Sequence, residues 1–382
     1  MAFRGLKLNS HTLFWPILNP SSTNYGPVAA DGSTTWPRGG LKYHRKRHRK
    51  SILRDIKSAG ATGVVLINTK ADGYTTVLYD YGCRRSQSHQ VRVVVAIELR
   101  AATTLAVRFN HKTVLGVRPS PTVALFSSRG PSTITLGVLK TDVLAPGLNI
   151  LAAYQSKTLL GAGPFDVLSG TSMSTPHIAG AVALIKSTHP DWSPEAIKSA
   201  IMTSSDTVDK DGGPILDEQR RKANAYATGA GHVNPARAAD PGLVYDLDAA
   251  DYASYICGLL GEATLAVVAR NSSLSCEKLS RTAEAQLNYP TIKVPLQPAP
   301  FTLKRTVTNV GPAASKYTAK VDAPKSLTVR VSPGTLVFTE AGEKKTVSGH
   351  GGDVLEGSLS WVSGEQVVRS PIVAAAGLRP ER

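Results

Sequence analysis

Cysteine is scarce in this chain, with three in 382 residues: Cys83, Cys257 and Cys276. Three cannot all pair internally, and no CxxC or Cys/His spacing suggests zinc. No apolar run reaches the roughly 18 residues that a membrane helix needs, so no span is expected. Acidic residues are nearly missing from the first third. Residues 1–118 hold 19 Lys/Arg against 5 Asp/Glu, whereas 119–382 hold 25 against 23. The net charge of +16 is therefore local. Its densest part, Lys42 to Lys50 (KYHRKRHRK), has the look of a localisation or polyanion-binding patch. No aromatic or Gly-rich RNA-binding signature accompanies it, so it reads as a solvated basic segment and nucleic acid is not the expected partner. The first twenty residues have no apolar core and no small-residue cleavage site, so no signal peptide is read there.

What is present is globular. Hydrophobic residues make up 42% and charged residues 19%, close to ordinary domain averages, and the length suits two or three domains. Residues 1–50 are broken by Pro16, Pro20, Pro27 and Pro37 and read as irregular. From Ser51, Ile52, Leu53, Ile56 and Ala59 mark a helical face stopped by Gly60, and Val64–Ile67 reads as a strand. Ile150–Tyr154 is another strand. A helix is expected from about Ser172 through Ile185, apolar nearly all round and hence central and buried. A second follows Ser193 as N-cap, with Pro194 first and Glu195 in its first turn. After a polar, Ser-rich stretch, the segments 306–310, 327–331 and 336–338 alternate with period two between Pro and Gly, as in a β-sandwich. Residues 347–353, VSGHGGD, read as too glycine-rich for a sandwich strand. Cys257 and Cys276, 19 apart, either close a loop in an exported chain or remain two buried thiols, and the sequon Asn271-Ser272-Ser273 lies between them.

The stretch with chemistry in it is Gly170-Thr171-Ser172-Met173-Ser174-Thr175-Pro176-His177. A hydroxyl at a helix N-terminus faces free N–H groups and the positive end of the helix dipole, which suits a nucleophile and its developing oxyanion. Gly170 would allow a tight entry, and Pro176 is tolerated in the first turn. The bland alternative is that Ser172 is an N-cap.

GTSMSTPH resembles the serine motif of the subtilisin-like proteases. FSSRGPS (126–132), DVLAPGLNILAAY (142–154), HPDWSPEAIKSAIMT (189–203), GAGHVNPARAADPGLVYD (229–246), LNYPTI (287–292) and RTVTNVG (305–311) are similar to the plant members. The resemblance implies an α/β fold: part of a subtilisin-like parallel sheet with buried helices, a protease-associated insert remnant and a C-terminal fibronectin-III-like β-sandwich. It divides the chain into an irregular segment (1–50), the insert (51–118), the C-terminal part of the peptidase domain (119–260), a linker (261–287) and the sandwich (288–376). It implies a secreted endopeptidase acting on protein or peptide substrates, without a cofactor or metal, with Ser172 as nucleophile.

That family pairs its serine with an earlier Asp in D-[ST]-G and a His in H-G-T-H, and holds its oxyanion Asn in A-G-N. None of these motifs occurs before Ser172. His177 follows Ser172 by five positions, about 140° around a helix, and His232 matches a motif position with no assigned chemistry. The expectation is therefore a truncated subtilase that is inactive alone. The alternatives are a pseudoprotease or binding module, or a partner chain supplying Asp and His. The departures at Thr141, 83–108 and 347–353 read as local frame shifts or deletions. With part of the sheet missing, the central helix would also be left with apolar surface in water.

Overall fold

A computed structural model describes residues 63–67, 73–75, 77, 92–96, 116–156, 163–269, 274–295, 301–351 and 356–375. The basic segment, the expected helix over 51–59, Cys83 and the sequon lie outside these residues. The described chain falls into two compact units interleaved along the sequence: 1–126, 146–173 and 216–221 form the first, and 127–145, 174–215 and 222–382 the second.

In the first unit, β1 (Gly63–Ile67) pairs in parallel with β2 (Arg92–Ala96), from Gly63↔Arg92 to Ile67↔Ala96. An unbroken Val-Val-Leu-Ile run is the composition of a parallel strand. β3 (Ile150–Ser156) and β4 (Gly163–Leu168) form an antiparallel hairpin with an irregular register between Ala153 and Ser156. Backbone bonds sew the remaining pieces together. The Tyr74 N–H donates to the Glu218 carbonyl (2.8 Å), and the Val123 N–H to the Leu216 carbonyl (2.8 Å). Leu125 N–H reaches the Thr75 hydroxyl at 2.9 Å.

α1 (Thr171–Thr188) enters the second unit at Ser174. It was expected to be buried all round, and it is not: only Ala181 and Ile185 are buried, while Leu184 is 66% exposed. An apolar surface needs neighbours on every side to be covered, and the described residues supply them along one stripe. Ile178, Val182 and Ile185 pack there against Trp192, Ile197, Ala200 and Ile201.

α2 (Pro194–Thr203) follows the expected signals closely. The Ser193 hydroxyl accepts the Ala196 N–H at 2.9 Å, Pro194 is the first helical residue and Glu195 lies in the first turn. Its buried face is Ala196, Ile197, Ala200, Ile201 and Met202, each large aliphatic contributing about 1.5–3 kcal/mol by leaving water. Two single turns follow, α3 (Ala225–Thr228) and α4 (Pro235–Ala238), capped by Asn224 and Asn234. After the short β5 (Leu243–Val244) come α5 (Ala249–Leu259) and α6 (Glu262–Val268). A disulfide joins Cys257 of α5 to Cys276. This resolves the choice between a closed loop and free thiols in favour of the loop.

The remaining strands are β6 (Ile292–Pro295), β7 (Phe301–Asn309), β8 (Ser315–Asp322), β9 (Arg330–Ser332), β10 (Thr335–Phe338), β11 (Lys344–Gly351), β12 (Glu356–Ser363) and β13 (Gln366–Ala375). They form a five-stranded sheet ordered β10-β8-β12-β13-β6 and a four-stranded sheet ordered β5-β7-β11-β9. Leu303, Val307, Tyr317, Leu336, Phe338, Trp361 and Val368 make the core between them. Two expectations are corrected here. The 327–331 strand shrinks to Arg330–Ser332, leaving Leu327 as a buried anchor outside it. The 347–351 stretch is a strand after all: β11 pairs with β7 through eight consecutive residues and with β9 through three. With partners on both sides its backbone is satisfied by the ladder, which outweighs the weak strand propensity of glycine.

Candidate active site

The site is built at the entry to α1. The Gly170 N–H donates to the Gly147 carbonyl (2.8 Å), and the Gly170 carbonyl accepts the Met173 N–H (3.0 Å). The neighbouring Ser169 hydroxyl accepts the Asn149 N–H at 2.7 Å and donates to the Asn149 Oδ1 at 3.0 Å, fixing the loop beside the helix start. A methyl group on Gly170 would meet nothing nearer than 3.6 Å, so the turn itself does not require glycine.

Ser172 is exposed in the first turn. α1 begins at Thr171, so Ser172 sits inside the helix rather than capping it. No acidic residue occupies that turn, so the turn itself sets no negative charge against the positive end of the helix dipole. In the second unit, the Ser174 hydroxyl donates to the Ala145 carbonyl at 3.0 Å. That bond ties the next stretch of the helix to the 142–145 segment, whose Leu144 N–H donates to Gly231 and whose Leu144 carbonyl accepts the Val233 N–H, both at 2.8 Å.

Two of the described histidines face backbone carbonyls. His189 Nε2 is 2.9 Å from the Ala239 carbonyl, and its ring stacks on Trp192 with centroids 4.0 Å apart. His232 Nδ1 is 3.1 Å from the Val233 carbonyl. Burial pushes the His232 ring below its ordinary 6.5. His177 is exposed on α1. Three described carboxylates also have partners. Asp166, buried, accepts the Val167 N–H at 2.7 Å. Asp206 binds Arg237 at 3.0 Å and Asn234 at 3.2 Å. Asp142 accepts from Tyr289 at 2.7 Å and pairs with Lys140. His11, His44, His48, His89, His111, Asp31, Asp55, Asp72 and Asp80, which precede Ser172 without standing in a D-[ST]-G or H-G-T-H motif, lie outside the described residues.

The Asp142–Tyr289 contact had not been read from the sequence. Both residues stand in quoted motifs, but 147 positions separate them, and no local pattern can register such a pair. Lys198 lies over the same Tyr289 ring, 4.5 Å from its centroid. No described group of three or more His, Cys, Asp or Glu side chains is arranged to hold a metal ion.

Residues 63–231 match the subtilase family, and residues 286–374 match a fibronectin type-III domain. The chain is 37% identical over 348 residues to "Subtilisin-like protease SBT1.6" of Arabidopsis thaliana, which covers 83% of this chain and 45% of that protein. It is 42% identical over 338 residues to "Subtilisin-like protease SBT5.3" of the same plant, covering 84% and 44%. With "Subtilisin-like protease SBT3" of Solanum lycopersicum it shares 41% over 310 residues, covering 74% and 40%. The chain belongs to the subtilase family. It spans less than half the length of these curated relatives. Within the subtilase match lie β1 to β4, α1 and α2, and the exposed Ser172. The fibronectin type-III match coincides with β6 to β13. No described helix is long and apolar enough to cross a membrane.

Proposed function

We propose that Ser172 is the nucleophile of a subtilisin-like serine endopeptidase acting on protein substrates, and that the 382-residue chain alone does not turn over. The observation carrying the first half is the exposed Ser172 in the first turn of α1, a turn that holds no acidic residue. The second half rests on proton transfer. A serine hydroxyl attacks only when a base removes its proton and a carboxylate orients that base. His189 and His232 are held by backbone carbonyls, and the motifs that carry the family's Asp, His and oxyanion Asn do not precede Ser172. Loss of the base in a subtilisin, a related enzyme that serves as the reference example, costs about 10⁶ in turnover.

On the same reading, 51–118 is a remnant of a protease-associated insert and 119–260 the C-terminal part of the peptidase domain. The Cys257–Cys276 disulfide supports an exported, extracellular location, since such bonds persist in oxidising compartments. The intact sandwich favours a second reading, a non-catalytic binding module. A fluorophosphonate probe tests the claim of inactivity. The expected result is no labelling of the purified chain. Labelling abolished by Ser172→Ala would establish a competent site and overturn the claim of inactivity, while leaving the nucleophile assignment standing.

A further inference from the structure

The outer face of the four-stranded sheet carries cations and hydroxyls. Along β7, Leu303, Arg305 and Val307 point into the core, so Lys304, Thr306 and Thr308 point out. Thr306 and Thr346 oxygens lie 3.0 Å apart across the β7–β11 pair, which puts Thr346, and Lys344 two residues before it, on the same outer face. Val331 of β9 packs against the core, which turns Arg330 outward. Three cations, Lys304 on β7, Lys344 on β11 and Arg330 on β9, thus flank the threonines of β7 and β11, on adjacent strands about 4.8 Å apart. Among the described residues of this face none is acidic. The neighbouring Glu343 is engaged by Lys345 and the Thr339 N–H.

We propose that this face binds an acidic polysaccharide, a linear chain bearing carboxylates and hydroxyls. The cations match the carboxylates, and the threonine hydroxyls can both donate to and accept from sugar hydroxyls. Nucleic acid fits less well, because the described face offers no aromatic ring on which bases stack. The choice of a polysaccharide rests on the extracellular location inferred from the Cys257–Cys276 disulfide, and does not depend on Ser172.

Binding of the full chain to de-esterified polygalacturonate, measured by affinity electrophoresis against neutral dextran and duplex DNA, tests this. Because the run 42–50 is itself polycationic, two control variants are needed. One replaces Lys316, Lys320 and Lys325 with Gln, and the other replaces the cations of 42–50. The variant Lys304→Gln/Arg330→Gln/Lys344→Gln should weaken polygalacturonate binding at least roughly tenfold at low salt and reduce the salt dependence by about three counterions. The Lys316/Lys320/Lys325 control should change binding less than twofold, and all variants should melt with the parent. Equal losses in the sheet variant and that control, a loss confined to the 42–50 variant, or an equal loss of DNA binding would each overturn the proposal.

Discussion

Ser193 does two things at once: its oxygen caps α2 by accepting the Ala196 N–H, and its proton goes to Asp246 at 2.5 Å. Ser193→Ala removes both, and about 1–2 kcal/mol of stability should go with them; chemical denaturation checks this. Gly229 shows the opposite constraint. Its φ is +57°, and a Cβ there would collide with the backbone carbonyls of Thr141 and Asp142. Gly229→Ala is therefore expected to cost several kcal/mol, more than the positive φ alone would. His232 is a half-buried base. Its folded pKa lies below 6.5, so the unfolded chain takes up the proton first. Its contribution is complete above pH 6.5 and is lost as pH falls toward the folded value. His232→Gln should flatten the acid limb of a melting-temperature profile below pH 6.5, and an unchanged limb would refute the assignment. At this scale the sequence was informative where chemistry is local. Ser193, Pro194 and the position of Ser172 could be read from neighbours, whereas Asp142–Tyr289 and Arg305, buried with Nη2 on the Ala285 carbonyl at 2.9 Å, depend on partners far along the chain.

Among the elements, α5 and α6 are joined by a short turn and clasped by the Cys257–Cys276 bond across a 19-residue separation. Constraining a loop of that size in the unfolded chain is worth about 3 kcal/mol. Reduction, or Cys257→Ser with Cys276→Ser, should lower the melting temperature accordingly, and equal melting with and without reductant would show the bond to be incidental. Element-level legibility was uneven for a physical reason. α2 carries cap, proline and apolar face in one window. α1 carries an apolar run whose degree of burial depends on what surrounds it, which its own residues do not encode. β11 was misjudged because strand formation in a glycine-rich segment is decided by the ladders on either side.

For the molecule as a whole, family membership was legible because GTSMSTPH and the segments around it are contiguous, while the division into units was not. Each unit combines stretches from different parts of the chain. Hydrolysis of a peptide by the purified chain, lost on Ser172→Ala, would be the strongest contradiction of the proposed inactivity. The interleaving has a further consequence for biosynthesis. During synthesis the first unit cannot close until residues 216–221 emerge from the ribosome, by which time two stretches of the second have already been released. Neither unit can be expressed as an uninterrupted fragment. The Tyr74 and Val123 amides, which donate to Glu218 and Leu216, should therefore stay open to hydrogen exchange in nascent chains until those residues have left the ribosome.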